Sequence, residues 1–248
     1  MDIISVINRK GGVGKTTTCF QIASWLHRKK RKVLAIDLDG QCNFTQTAKS
    51  EPDVVGSFEL LTRKANIMEC VQMRKNSFDL ISADENLSTA DITIQDTGKE
   101  FRLKEALQGL DKSYTNIIID TPPNLGILTT NALTASNRVI IAAQADVYSS
   151  SGLIQLYNSI KVIRQYCNAD LKIDGILLTR YNARTTFSTH VKESFEKVAA
   201  EMGTRLYPIC IRESITVKES QAAQKSVFEY DAKSNVAKDF EQLMKEIF

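Results

Sequence analysis

The sequence predicts an α/β fold, a mainly parallel twisted sheet with helices on both faces, forming a single domain over residues 1–248. Three observations predict it. Short apolar runs alternate along the chain with stretches of helical period, the signature of successive βαβ units. Several runs, among them Ile3–Ile7, Asn116–Asp120 and Val139–Ala143, are apolar without alternation, as strands covered on both faces must be. A glycine-rich turn, Asn8 to Gly14, joins the first run to a helical stretch.

The elements follow in order. Ile3–Ile7 is the first strand, and the helix after the turn carries apolar residues at helical spacing through Leu26. The basic run Arg28-Lys29-Lys30-Arg31-Lys32 reads as a solvated helix C-terminus, where cations suit the dipole, with a binding patch as the alternative. Val33–Ile36 is a strand ending in Asp37-Leu38-Asp39. Short helices are expected at Val55–Leu61 and Ile67–Arg74, a strand at Phe78–Ile81 and mostly helix over 86–110. Asn116–Asp120 and Val139–Ala143 are strands, with a helix near Ser150–Tyr166. Gly175–Thr179 is a strand, followed by a helix from about Thr186 to Met202. A short strand near Arg205–Tyr207 and two closing helices complete the chain.

Composition bounds the function classes. The 248 residues are 43% hydrophobic and 25% charged, ordinary globular values that allow one or two domains. Four prolines leave no proline-rich linker, and no repeat is seen, so one domain is the simpler reading. A net charge of +3 is too small to point to nucleic acid by itself. Five scattered cysteines without a C-x-x-C pair argue against a zinc site or a disulfide framework, and for reduced thiols in a cytoplasmic protein. Met1 runs directly into the first strand, so no signal peptide is expected. No apolar run approaches the roughly 20 residues needed to span a bilayer.

The chemistry gathers at strand ends. Strand, glycine-rich turn and helix form the context of a phosphate-binding loop, Lys10-Gly11-Gly12-Val13-Gly14-Lys15-Thr16-Thr17. Glycines let backbone N–H groups approach phosphate oxygens, and the helix N-terminus adds its positive end. Lys15 would place a charge on the β and γ phosphates, and the Thr16 hydroxyl would sit on Mg2+. Asp120, after four apolar residues, fits a magnesium-holding acid; the bland reading is a strand-end acid capping a turn. Asp39 is the candidate to orient the attacking water, with Asp37 supporting the metal; capping of the turn at Gly40–Asn43 is the alternative. Ligands bind at the C-terminal ends of parallel strands, and all three stretches lie at such ends.

With these motifs the chain resembles the ParA/Soj branch of the ParA–MinD ATPases, the deviant Walker A group of P-loop NTPases. Lys10–Thr17 resembles the family loop with its extra lysine, Val33–Gln41 its second acidic motif, and Ile119–Gly126 with Thr129, Asn131, Ala132 and Leu133 its Walker B segment. Leu178–Thr185 resembles a later family loop. The resemblance implies an ATP-bound sandwich homodimer with Mg2+, and Lys10 crossing to the other subunit's phosphates. It implies weak ATPase activity stimulated by a ParB-type centromere-binding partner, and sequence-independent DNA binding that makes the protein nucleoid-associated. Arg184 matches a family arginine used for DNA. Ile211-Arg212-Glu213-Ser214 stands where many relatives read Ile-Pro-Arg-Asn, and Arg212 is expected to substitute for the displaced arginine. Gly40 and Cys42 replace a usual proline and glycine.

Residues 160–225 hold 11 Lys/Arg against 7 Asp/Glu. That bias supports DNA contacts by Arg184, Arg212, Lys218 and Lys225. No N-terminal helix-turn-helix extension is expected, which argues against operator binding. The runner-up is a MinD-like membrane-cycling ATPase, which would end in a basic amphipathic helix. Residues 236–248 carry three acids against two lysines, so stable membrane association is not expected. The cysteines do not suit an iron–sulfur reductase, and the Asp37–Gln41 and Asp120–Gly126 segments fit ParA better than a dethiobiotin-synthetase-type ligase.

Overall fold

The computed structural model describes residues 1–146, 149–182 and 186–248, without the side chains of 149–151 and 186–188. Six strands, β1 (Asp2–Ile7), β2 (Val33–Asp37), β3 (Asp79–Ile81), β4 (Asn116–Asp120), β5 (Arg138–Gln144) and β6 (Lys172–Thr179), form one sheet in the order β3-β2-β4-β1-β5-β6. Every pairing is parallel. All the strands therefore end at one edge, which gathers the turn after β1, Asp37 to Asp39, Asp120 and Thr179.

Both faces of the sheet are covered, and the pleat sorts side chains between them. On β4, Ile118 joins a core with Phe20, Ile22, Phe44 and Phe240, beneath the helices Lys15–Arg28 and Asn235–Ile247. Its neighbours Ile117 and Ile119 face the opposite core, with Leu103, Leu128 and Ala132 from the helices Arg102–Ala106 and Ile127–Ala135. The helices Ser149–Tyr166 and Thr186–Glu201 extend that second layer over β5 and β6. This double cover is why the strands read as unbroken apolar runs.

The departures from the sequence reading are local. Residues 86–110 hold only short pieces: 3-10 turns at Glu85–Thr89, Lys99–Phe101 and Leu107–Gly109, and helices at Ala90–Thr93 and Arg102–Ala106. Asp84 and Gly98 restart the backbone there, the first by capping Asn86 N–H and the second in a left-handed conformation. The strand expected at Arg205–Tyr207 is a single bridge, Leu206 to Ile176. The second expected short helix stops at Cys70. Three helices close the chain rather than two, the extra one a single capped turn at Val227–Tyr230.

Candidate active site

The turn after β1 is shaped by its glycines and anchored from both flanks. Gly12 (φ 74°) and Gly14 (φ 83°) take left-handed conformations that an L side chain resists. Asn8 donates its amide to the Ala142 carbonyl at 2.5 Å and accepts the Lys10 N–H at 3.0 Å. Val13 is fully buried, and its carbonyl accepts a hydrogen bond from the Thr179 hydroxyl at 2.7 Å. Within the following helix the first closing bond is Thr18 N–H to Gly14 O, 2.9 Å. The amides of residues 11–17 have no protein acceptor among the described residues. A row of free N–H groups at a helix start is a cradle for phosphate oxygens.

Lys15 stands at the first helical position with 6% of its surface exposed. Its ammonium lies 3.4 Å from the Lys10 carbonyl. Burial pulls its pKa below the ordinary value, against the attraction of Asp120 and Asp39. Across the sheet, β2 and β4 pair in a register that sets Asp37 opposite Asp120. Both are fully buried. Asp120 accepts the Thr121 N–H through Oδ1, while among the described residues no hydrogen bond of ordinary length reaches its buried Oδ2. Burial, then the Asp37 charge, holds the Asp120 carboxyl well above the usual range; the Thr16 hydroxyl and Lys15 pull the other way. Burial raises Asp37 to about 6.

Asp37 is more than a charge. Its Oδ1 accepts the Asp39 N–H at 3.0 Å, and its Oδ2 accepts the Thr45 N–H and hydroxyl at 2.9 and 2.7 Å. Three of roughly four lone-pair directions are thus used to fix the turn that presents Asp39. Asp39 in turn accepts the Gln41 N–H at 3.0 Å. The donor set fits a hard divalent cation: a hydroxyl at Thr16, an orphaned carboxylate oxygen at Asp120 and a second buried acid beside it. Two buried carboxylates facing one lysine leave a negative excess that a cation offsets.

The remaining candidates are dispersed. Lys10 is exposed, and its ammonium is held by Asp146 at 2.7 Å. The Thr17 hydroxyl accepts a hydrogen bond from Gln221 at 3.0 Å, tying the loop helix to Ile215–Ala222. Arg184 lies outside the described residues. Arg212 places Nε and Nη2 on Asp239 at 2.6 and 2.7 Å, so its guanidinium is engaged within the chain. With Lys218 it lines a cavity of about 170 Å3 that opens beside Gly12 and Gly14. Lys225 is exposed just past the end of that helix. Among the described residues, Arg212 and Lys218 share that cavity and Lys225 does not line it.

Sequence reasoning missed Asn8, Thr45, Thr179 and the Arg180–Glu213 ion pair at 2.9 Å. Thr179 and Asn8 carried a signal of position, each being the polar residue at or just past the end of a strand on the site edge. Thr45 and Glu213 carried none, because each acts on a residue of another segment.

Comparison with known proteins agrees with this geometry. A family model described as an AAA domain matches residues 1–173. The sporulation initiation inhibitor protein Soj of Bacillus subtilis is 35% identical over 99% of this chain and 97% of its own length. The chromosome partitioning protein ParA of Myxococcus xanthus is 33% identical over 99% of this chain and 87% of its own. Among solved structures, a cobyrinic acid a,c-diamide synthase from Mycobacterium smegmatis, with bound ATP analogue and magnesium, superposes with a TM-score of 0.80. It is 33% identical and is covered over 93% of its length by 94% of this chain.

Proposed function

Since the chain belongs to the ParA/Soj family of partition ATPases, we propose that it segregates DNA by a cycle of ATP binding, dimerisation and hydrolysis. The observation that carries the reading is the shared edge: free loop amides, Lys15, Asp39 and the Asp37–Asp120 pair converge there from β1, β2 and β4. Phosphoryl transfer needs positioned cations and an oriented water rather than a covalent nucleophile, and this edge offers those parts.

The roles divide as follows. The amides of 11–17 and the Lys15 ammonium hold the triphosphate. Thr16 and Asp120 hold magnesium, with Asp37 adding charge and fixing the turn of Asp39. Magnesium, when bound, neutralises charge on the phosphate oxygens. Asp39 accepts a hydrogen bond from the attacking water and orients it. Lys10 exchanges its Asp146 partner for the nucleotide of a second copy, which makes dimerisation a condition of turnover. Lys10→Ala is expected to bind ATP with little change but to sediment as a monomer with ATP; an ATP-dependent dimer of normal stability would remove that role.

The dimer binds DNA without sequence preference, and a ParB-type partner stimulates hydrolysis. Dimerisation doubles on one particle the basic bias of residues 160–225. The test is a gel shift with nonspecific DNA, ATP against ADP, across a salt series. Retention is expected to be stronger with ATP than with ADP, and to fall steeply with salt. Arg184→Ala is expected to weaken it with basal ATPase unchanged. Equal retention with ATP and ADP would overturn the ATP-gated reading. Turnover without any further small-molecule substrate separates this reading from an amide-forming synthase.

A membrane-cycling role is disfavoured. Among the described residues no helix is long and apolar enough to cross a membrane. The last helix, Asn235–Ile247, buries Val236, Phe240, Leu243, Met244 and Ile247 against the core, so it has no apolar face to insert.

A further inference from the structure

The edge of the sheet opposite the phosphate loop carries a surface that ATP hydrolysis does not use. The helix Lys15–Arg28 begins at the loop and, at about 1.5 Å per residue, ends roughly 20 Å away. There Arg28, Lys29, Lys30, Arg31 and Lys32 follow one another, all exposed. The helix closes with Lys30 N–H on the His27 carbonyl at 2.8 Å and Arg31 N–H on Leu26 at 3.1 Å. Lys30 takes the left-handed conformation (φ 60°) that favours glycine at this position of a helix end. A cation is thus held where a smaller residue would relieve the backbone.

Neighbouring acids are already engaged. Glu241 accepts from Trp25 and Arg28, Asp79 from Lys32 and Tyr114, and Asp2 from Arg138. Lys29, Lys30 and Arg31 have no carboxylate partner among the described residues. The Lys29 ammonium sits 5.1 Å from the centre of the Trp25 ring, which stacks on Phe248 at 5.8 Å. Lys29, Arg31 and Lys245 line a cavity of about 760 Å3 together with Trp25, Thr115 and Asn116.

We propose that this edge binds the phosphate backbone of duplex DNA in every nucleotide state, as a contact separate from residues 180–225. Three adjacent unpaired cations on a rigid helix end suit a row of phosphates and have no means of reading bases. Stable attachment to lipid takes a second signal besides a basic patch, and the amphipathic helix at this edge has its stripe buried, leaving Met1 and Phe248 as the exposed apolar side chains beside the cations. The surface belongs to one protomer and does not depend on the partition reading. If two copies join at their nucleotide edges, these surfaces face away from each other and one dimer holds two DNA segments.

The test is fluorescence anisotropy with a labelled random duplex of about 24 base pairs, with ADP, between about 50 and 300 mM salt. The wild type is expected to bind at low salt with a log–log slope of about −3, one unit for each phosphate. Lys29→Ala/Lys30→Gly/Arg31→Ala is expected to bind about tenfold or more weakly with a slope near zero, with basal ATPase unchanged and Tm no lower than that of the wild type. Arg31→Ala alone is expected to lower the slope by about 1. No wild-type binding with ADP at the lowest salt would overturn the proposal, as would equal binding by the triple variant. Tighter capture by phosphatidylglycerol vesicles than by DNA would overturn it in favour of a membrane. An ATP-dependent increment that persists in the triple variant supports two separate contacts; its absence from the wild type would strike the partition reading alone.

Discussion

Lys15→Ala is expected to lower ATP affinity by about 10²- to 10³-fold, or ~3–4 kcal/mol, in an equilibrium titration with a fluorescent nucleotide. The size follows from the burial of the ammonium. Lys15 is 6% exposed before any nucleotide arrives, and burial already lowers its pKa. The charge has been stripped of water by the fold, so a phosphate oxygen meets a preorganised partner and little further desolvation is incurred. An exposed lysine would give far less, because water competes for both partners. Asp39→Ala is expected to behave in the opposite way, keeping ATP while turnover falls about 10²-fold, since it acts on the water rather than on the triphosphate. A Lys15→Ala affinity within threefold of wild type would remove the lysine from the site.

Asp120→Asn is expected to abolish magnesium-dependent hydrolysis and to raise the Tm of the nucleotide-free protein at pH 8. Asp120 and Asp37 are register partners with no exposed surface, and among the described residues one Asp120 oxygen receives no hydrogen bond. Burial raises both carboxyls above their ordinary values, Asp37 to about 6. A group with a raised pKa in the folded state favours folding while it is protonated. That contribution is complete near pH 4 and is lost as pH rises through 6 and beyond. The nucleotide-free protein is therefore less stable at pH 8 than these two side chains allow at pH 5. The amide removes one of the two charges. Lys15 loses a partner, but Asp37 and Asp39 remain beside it, so relief of the acid pair wins. Each kcal/mol corresponds to about 2–4 °C in a chain of this size. Differential scanning fluorimetry at pH 5 and pH 8 without magnesium checks it, and a lower Tm at pH 8 would refute the account.

The strands were legible because burial on both faces leaves a plain mark. Asn116–Asp120 matched to the residue, and β2, β5 and β6 differed only by extensions at their ends. The phosphate loop was legible because glycine, lysine and threonine are fixed there by local geometry. Residues 86–110 were misread because apolar residues at helical spacing occur on short turns too, and Asp84 and Gly98 break the chain by side-chain capping and positive φ. Which partner each support of the site would take was illegible for a different reason. Thr179 holds a carbonyl 166 positions earlier, and Lys10 pairs with an acid 136 positions later. Single polar residues whose partners lie that far away leave no periodicity to read.

The sheet order has a consequence for how the molecule comes into being on the ribosome. β1 is made first, yet its two neighbours are β4 and β5, with Asp2 beside Asn116 and Ile4 beside Arg138. The earliest strand has no adjacent partner until nearly half of the chain has emerged. Such distant pairings fold slowly, because a long loop must close before any contact forms. Two of the bonds that anchor the loop of residues 8–14 come from Ala142 and Thr179, on β5 and β6. A nascent chain stalled before Thr179 is thus expected to be blind to nucleotide, although every loop residue was translated long before.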